Sequence, residues 1–198
     1  GLSNPVPVNA ILMKFSPAGQ LLWRRVVGST WDGGSSTRVL VDASDHVYVY
    51  GLGNIAGAGQ VATLTRFDPA GTLQWLWFDR AGIGRPLAAK ITPDQQVLLT
   101  ARSTTGLLNG YARIDAAGTA VWTLAGITSQ TVGDAAGDAA GNTYIVNGLP
   151  TGSGSVLRKV ASNGSLLWER SHPMAAMRVE ARADGSAVLA GLPAAGAG

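Results

Sequence analysis

Short apolar runs, each closed by a turn signal, account for nearly the whole chain. The first four stretches are 11–15, 21–27, 37–41 and 46–50, separated by Ser16-Pro17-Ala18-Gly19, a looser segment 28–36, and Asp42-Ala43-Ser44-Asp45. The same alternation returns at 61–67, 73–78, 86–91 and 96–101, then at 111–114, 120–124, 131–135 and 142–146, and finally at 156–160, 166–170, 177–181 and 186–190. Proline presets φ at the second turn position and glycine accepts a positive φ, so these breaks have a mechanism. Nowhere does an apolar 3.6-residue period persist for the ~10 residues a helix needs. The pattern predicts an all-β chain of short strands.

One stretch sets the period. Phe67-Asp68-Pro69-Ala70-Gly71-Thr72-Leu73-Gln74-Trp75 recurs around Gly19 and Trp23, around Gly118 and Trp122, and around Gly164 and Trp168, with the glycine always four residues before the tryptophan. Intervals of about 50 residues mark a stacked repeat, and four short strands per repeat is the content of one propeller blade. The expected organisation is an extended lead-in 1–8, four repeats at about 9–59, 60–109, 110–154 and 155–191, and a linker-like tail 192–198. Each repeat is expected to form one complete blade of four antiparallel strands. The loops 51–59, 102–110 and 147–154, rich in glycine, serine and threonine, would then join blade to blade.

Composition narrows the function classes. Charged residues are only 14% of the chain, against about 25% in an ordinary soluble domain. The net charge is +3 and the pI about 9.6, yet no run of cations exceeds Arg24-Arg25. A phosphate-tracking stripe for nucleic acid is therefore not expected. With no cysteine there is neither a disulfide framework nor a thiolate metal site. No segment approaches the ~18 apolar residues of a membrane span. The absence of an initiating methionine and the linker-like tail suggest a piece of a longer, exported protein.

The repeats resemble a bacterial β-propeller repeat family whose blades read apolar-Lys-apolar-Asp-x-x-Gly-x-x-x-Trp, then Asp-x-x-Gly-Asn-x-Tyr-apolar-x-Gly. Asp138-Ala139-Ala140-Gly141-Asn142-Thr143-Tyr144 fits the second half well, and Asp42-Ala43-Ser44-Asp45-His46-Val47-Tyr48 nearly does. Gln95-Gln96-Val97-Leu98 and Gly185-Ser186-Ala187-Val188 depart from it. The resemblance implies an exported, cell-surface or periplasmic protein whose blades serve as binding or spacer modules. A weaker likeness is to pyrroloquinoline-quinone enzymes, whose docking motif is Ala-x-Asp-x-x-Thr-Gly-x-x-x-Trp. The glycine-to-tryptophan spacing agrees, but Asp68 and Asp115 stand one residue too close to their glycines and the threonine is missing in every copy.

Two columns repeat in register. The tryptophans Trp23, Trp75, Trp122 and Trp168, with Gly19, Gly71, Gly118 and Gly164, are expected to be structural, one large plug per inter-blade seam. Lys14, Arg66, Arg113 and Lys159 place one cation per blade just before the turn. They could face anions along a channel wall; pairing with a turn aspartate such as Asp42, Asp68, Asp115 or Asp138 is the preferred expectation. Other motifs are weaker. Gly51-Leu52-Gly53-Asn54-Ile55-Ala56 imitates a dinucleotide fingerprint but lacks the helix that would receive the phosphates. The run 133–142 lacks the alternating carboxylates of a calcium loop. His46 and His172 have no ligand-spaced partner, and no nucleophile elbow appears.

The reading is a four-blade segment, part of a larger propeller, acting as a non-catalytic binding or structural module of an exported bacterial protein. The alternative is a segment of a propeller enzyme, quinoprotein dehydrogenase-like or lyase-like. No cofactor is expected, and no catalytic or metal residue is assigned. An unidentified protein or carbohydrate ligand would sit on the loop face made by 28–36, 78–85 and 127–131. An arc of an incomplete ring leaves a bare blade face at each end, so self-association is expected.

Overall fold

The structure is a computed structural model describing residues 10–27, 38–103, 107–129, 131, 133–149 and 154–193. Sixteen strands and no helix are found among them. They are β1 (Ala10–Phe15), β2 (Leu21–Val27), β3 (Arg38–Val41), β4 (Val47–Ile55), β5 (Gly59–Phe67), β6 (Leu73–Phe78), β7 (Arg85–Ile91) and β8 (Val97–Arg102). The remainder are β9 (Leu108–Ile114), β10 (Ala120–Thr128), β11 (Asp134–Gly137), β12 (Thr143–Gly148), β13 (Ser155–Val160), β14 (Leu166–His172), β15 (Ala175–Ala181) and β16 (Ala187–Leu192). Every stretch singled out by the apolar pattern contains a strand; the weakest, 131–135, is displaced to Asp134–Gly137.

The strands form antiparallel four-stranded meanders β3-β4-β5-β6, β7-β8-β9-β10 and β11-β12-β13-β14, with β1-β2 and β15-β16 as two-stranded hairpins. This is an all-β, propeller-type architecture. It corrects one expectation, because each sheet takes its first two strands from one sequence repeat and its last two from the next. The segments 51–59, 102–110 and 147–154 are hairpin connections inside a sheet, not joints between blades. Around 51–59 the cause is local. Gly57 and Gly59 adopt φ of 80° and 73°, Ala58 N–H donates to Ile55 C=O at 2.9 Å, and β4 and β5 pair right up to that turn. Gly51 to Ile55 of the dinucleotide look-alike are simply β4. Between β6 and β7 the chain passes from one sheet to the next through 79–84, and between β10 and β11 through 129–133; 28–37, with Trp31, lies outside the described residues.

The chain divides into two compact units, residues 1–80 and 81–198. In the first, Leu12 and Val27 of the hairpin pack on Val47, Val49 and Phe67 of the first sheet, with Ala10 and Trp23 at the margin. In the second unit, Leu98, Tyr111 and Trp122 of the second sheet meet Ala135, Ile145 and Val160 of the third. Ala136, Tyr144, Val146 and Leu157 on the other face of the third sheet meet Ala176 and Val179 of β15. Each fully buried valine or leucine contributes about 1.5–3 kcal/mol. Within each unit, stability therefore lies in face-to-face seams between its stacked sheets.

Four turns joining the first and second strands of a sheet, or of β15-β16, share one geometry. Their fourth residue is left-handed: Asp45 (φ 66°), Gln95 (60°), Gly141 (83°) and Gly185 (78°). Only glycine takes this conformation without steric cost. The first and second sheets thus keep the repeat's turn despite lacking its glycine.

Candidate functional site

Strand pairing places the two repeated columns side by side. Lys14 is opposite Trp23, Arg66 opposite Trp75, Arg113 opposite Trp122, and Lys159 opposite Trp168. In the three full sheets the row continues onto the second strand, with Tyr48 opposite Arg66, Leu98 opposite Arg113 and Tyr144 opposite Lys159. A cation next to an aromatic residue in every row follows from the repeat, because strand registers differ little from sheet to sheet.

The cations turn toward turn carboxylates and carbonyls. Arg113 is fully buried. Its Nη2 donates to Asp94 Oδ2 at 2.6 Å, its Nε to Gln96 Oε1 at 2.7 Å, and its Nη1 to Gly141 C=O at 2.5 Å and Thr143 Oγ1 at 2.9 Å. It thus clamps the β7–β8 turn of its own sheet to the β11–β12 turn of the next. Lys159 pairs with Asp138 at 3.4 Å, reaches Gly185 C=O at 3.5 Å, and lies 4.7 Å from the Tyr144 ring centroid. Lys14 pairs with Asp45 and reaches Pro69 C=O at 3.4 Å. Arg66 lies over the Tyr48 ring at 5.6 Å, and Tyr48 donates to Asp42 at 3.1 Å.

Three of these contacts land on the same residue of a following turn, namely Asp45, Gly141 and Gly185. Of the aspartates expected as partners, Asp138 is reached directly, by Lys159 at 3.4 Å. Asp68 and Asp115 instead accept from the N–H groups of their own turns, Asp68 from Thr72 at 2.8 Å and Asp115 from Ala117 and Thr119 at 2.9 and 2.8 Å. The reason is distance along the strand. A cation at the end of a sheet's third strand lies beside the start of the second, hence near the turn before it.

Charge states follow from these contacts. At Asp138 burial opposes ionisation, but the Asn142 side chain and N–H, together with Lys159, hold its carboxyl below the ordinary carboxylate value. At Asp42 burial is likewise outweighed, by His46 N–H, the Tyr48 hydroxyl and Ser44 N–H. Lys159 is held above the ordinary lysine value by the Tyr144 hydroxyl, against a burial effect and with Asp138 adding to it. Burial pushes the Tyr48 hydroxyl up to about 12. Of the carboxylates in the calcium-like run, Asp134 accepts from Lys90 at 3.2 Å and from Val179 N–H at 3.0 Å, while Asp138 serves its own turn and Lys159.

The tryptophans explain their glycines. A methyl group on Gly71 would stand 2.8 Å from the Trp23 ring, and one on Gly164 would stand 2.7 Å from Trp122. Each tryptophan lies across the glycine turn of the following sheet, so glycine is required there by close approach as well as by its positive φ. Trp23 Nε1 also donates to Pro69 C=O at 3.0 Å, and Arg25 Nε to Gly71 C=O at 2.6 Å. Trp75 and Trp168 make edge-on contacts with Tyr48 and Tyr144 at 6.0 and 5.9 Å.

A cavity of about 470 Å³ opens between the end of β2 and the adjoining face of the first sheet. Val26, Val27, Ile55, Phe67, Leu73 and Leu76 give it apolar walls, while Arg25, Asn54, Thr63, Thr65 and Thr72 supply polar atoms at intervals. Its size is that of a small-ligand or side-chain pocket. Sequence reasoning missed it because the lining comes from β2, β4, β5 and β6 and depends on how the hairpin stacks on the sheet. The small residues Gly53, Thr63 and Thr65 along one sheet face are its trace in the sequence.

No protein-family model matches the chain, and no curated protein sequence does. Solved structures match in fold. A protein of unknown function from Bacteroides caccae is 15% identical with a TM-score of 0.51, over 92% of this chain and 65% of its own. A eukaryotic initiation factor is 13% identical with a TM-score of 0.51, over 83% of this chain and 43% of its own. BamB from Moraxella catarrhalis is 13% identical over 90% of this chain and 88% of its own, but its TM-score of 0.24 is too low for the superposition to carry weight. The chain thus spans under two thirds of the first two, and the likeness is one of fold.

Proposed function

We propose that the chain is a non-catalytic propeller-type binding module of an exported bacterial protein, and that it takes a protein ligand. The cavity beside β2 is the observation that carries this reading. Its exposed wall is mainly apolar, with polar atoms of Arg25, Asn54, Thr63, Thr65 and Thr72 set between the aliphatic groups, which suits an apolar side chain and its flanking peptide groups. The cation column supports the same view, since Lys14, Arg113 and Lys159 are engaged by the protein's own carboxylates and carbonyls. Export and bacterial origin rest on the resemblance of the repeats alone.

The test is fluorescence anisotropy with short labelled peptides rich in leucine, valine and phenylalanine, on the wild type and on Leu76→Glu. Leu76 is half exposed, so the variant should keep the wild-type melting temperature. Saturable binding that Leu76→Glu removes is the expected result. Binding of equal strength in both proteins, or none in either, would overturn the assignment.

A further inference from the structure

Three asparagines in the chain stand directly before glycine: Asn109, Asn147 and Asn163. In such a pair the glycine nitrogen can attack the asparagine side-chain amide, since no Cβ on the glycine shields it. The fold treats the three differently. Asn109 and Asn147 are 1% and 2% accessible and lie within β9 and β12. Asn109 Nδ2 donates to Thr131 C=O at 3.0 Å, and Asn147 Nδ2 to the Tyr111 hydroxyl at 2.8 Å. Gly110 faces Ala101 and Gly148 faces Ser155 across antiparallel ladders, so neither glycine nitrogen can swing onto the side chain while its sheet holds.

Asn163 is exposed, in the turn between β13 and β14. Its Oδ1 accepts from Ser165 N–H at 3.0 Å and from Ser165 Oγ at 2.8 Å. That local geometry lays the side-chain carbonyl over the peptide joining Asn163 to Gly164, which carries the attacking nitrogen. The Gly164 N–H itself donates to Ala161 C=O at 2.9 Å. This bond sits at a solvated hairpin tip, where local opening does not require the sheet to open. The residues equivalent to Asn163, before Gly19, Gly71 and Gly118, are Ala18, Ala70 and Ala117. The amide thus belongs to the fourth repeat alone, and there it borders a seam. A methyl group on Gly164 would stand 2.7 Å from Trp122.

We propose that Asn163 is a site of spontaneous deamidation, and that its product loosens the seam between the second and third sheets. The Gly164 nitrogen gives up its proton and bonds to Asn163 Cγ, and ammonia leaves. Water then opens the resulting succinimide ring at either carbonyl. One opening gives aspartate and keeps the backbone of the turn. The other gives isoaspartate, which threads the side-chain methylene into the main chain and lengthens the turn by one backbone atom. Gly164, with φ of 88° and packed on Trp122, cannot hold its place in the lengthened turn. Trp122 then loses one wall of its packing beside Leu98, Ala135, Ile145 and Val160. The inference rests on the chemistry of this turn and is independent of the ligand assigned to the cavity.

The test keeps the full chain folded in mildly alkaline buffer and follows it by peptide mass spectrometry, with electron-transfer fragmentation to tell isoaspartate from aspartate. Conversion at Asn163 should outpace that at Asn109 and Asn147 by at least about a hundredfold, because a turn opens locally and a buried strand only with its sheet. In urea the three should react at comparable rates, so that the fold and not the dipeptide sets the difference. Thermal melts of the aged protein should show a second, lower transition that grows with the isoaspartate fraction. Asn163→Ala, which copies the residue of the other three repeats, should melt in one transition before and after the same incubation. An Asn163 that survives in the folded chain long after it has converted in urea would overturn the proposal. So would similar conversion at all three sites in the folded chain, or isoaspartate at this position with an unchanged melt.

Discussion

Lys14 and Arg113 occupy the same place in the repeat, yet the seams they serve differ. At the seam between β1-β2 and the first sheet, Lys14 pairs with Asp45, and the two side chains are 23% and 58% accessible. At the seam between the second and third sheets, Arg113 is 0% accessible and holds four acceptors on two turns. The position in the repeat is shared; what covers it is not. A surface ion pair is worth about 0–1 kcal/mol, whereas one partner removed from a buried, hydrogen-bonded pair costs about 3–5 kcal/mol. One motif residue is thus a keystone in one seam and an ornament in the other, according to whether strands of a full sheet close over it.

The largest expected effect follows directly. Arg113→Met should lower unfolding stability by about 3–5 kcal/mol, taking the guanidinium from Asp94 Oδ2, Gln96 Oε1, Gly141 C=O and Thr143 Oγ1. Lys14→Met should cost less than about 1 kcal/mol. Urea melts of both variants decide the matter. Losses of similar size would mean that covering by sheets does not govern the strength of these contacts.

Much of this contrast was legible in the chain, and the rest was not for physical reasons. The spacing of Gly71 and Trp75, repeated four times, located turns and strands because a turn needing positive φ and a bulky seam residue are both local requirements. The phase of the sheets was hidden: the segment 51–59 looks like a joint between blades, since a tight hairpin and a crossing loop call for the same glycines. The partners of the cations were hidden as well. Asp94 is 19 residues from Arg113, and only the register of β8 on β9 brings that turn to the guanidinium. The cavity beside β2 belongs to stacking, which no linear pattern encodes.

A smaller effect comes from pH. The Asp138 carboxyl, nearly inaccessible beside Lys159, is depressed in the folded protein below the ordinary aspartate value of 3.8. Its stabilisation is therefore present above about pH 4 and lost as pH falls through the folded value, because the unfolded chain takes up the proton first. Lys159 is raised above the ordinary lysine value of 10.5, so its contribution holds below that value and is lost as pH climbs through the folded one. Stability measured from about pH 2 to pH 12 should show a plateau with a fall at each end. Asp138→Asn should lower the plateau by about 1–3 kcal/mol, the usual worth of a hydrogen bond to a charged group, and flatten the acid limb. An acid limb of unchanged steepness in the variant would show that other carboxylates govern it.

The smallest effect reverses what burial alone would suggest. Trp122 is the more buried of the two seam tryptophans, at 7% accessible, but its indole N–H finds no acceptor among the described residues. Trp23 is partly exposed and donates to Pro69 C=O at 3.0 Å. Replacement by phenylalanine removes ring volume at both sites, which costs about 1–2 kcal/mol where the neighbours cannot close in. At Trp122 it also removes a buried donor without a partner, and relieving such a group returns about 1–3 kcal/mol. At Trp23 it breaks a hydrogen bond worth about 1 kcal/mol. Trp122→Phe should therefore lie within about 1 kcal/mol of the wild type, and Trp23→Phe should be the more damaging by about 2 kcal/mol or more. Chemical unfolding of the two variants side by side makes the comparison. A clearly larger loss at Trp122 would show that its N–H is satisfied in solution and that packing volume alone ranks the two seams.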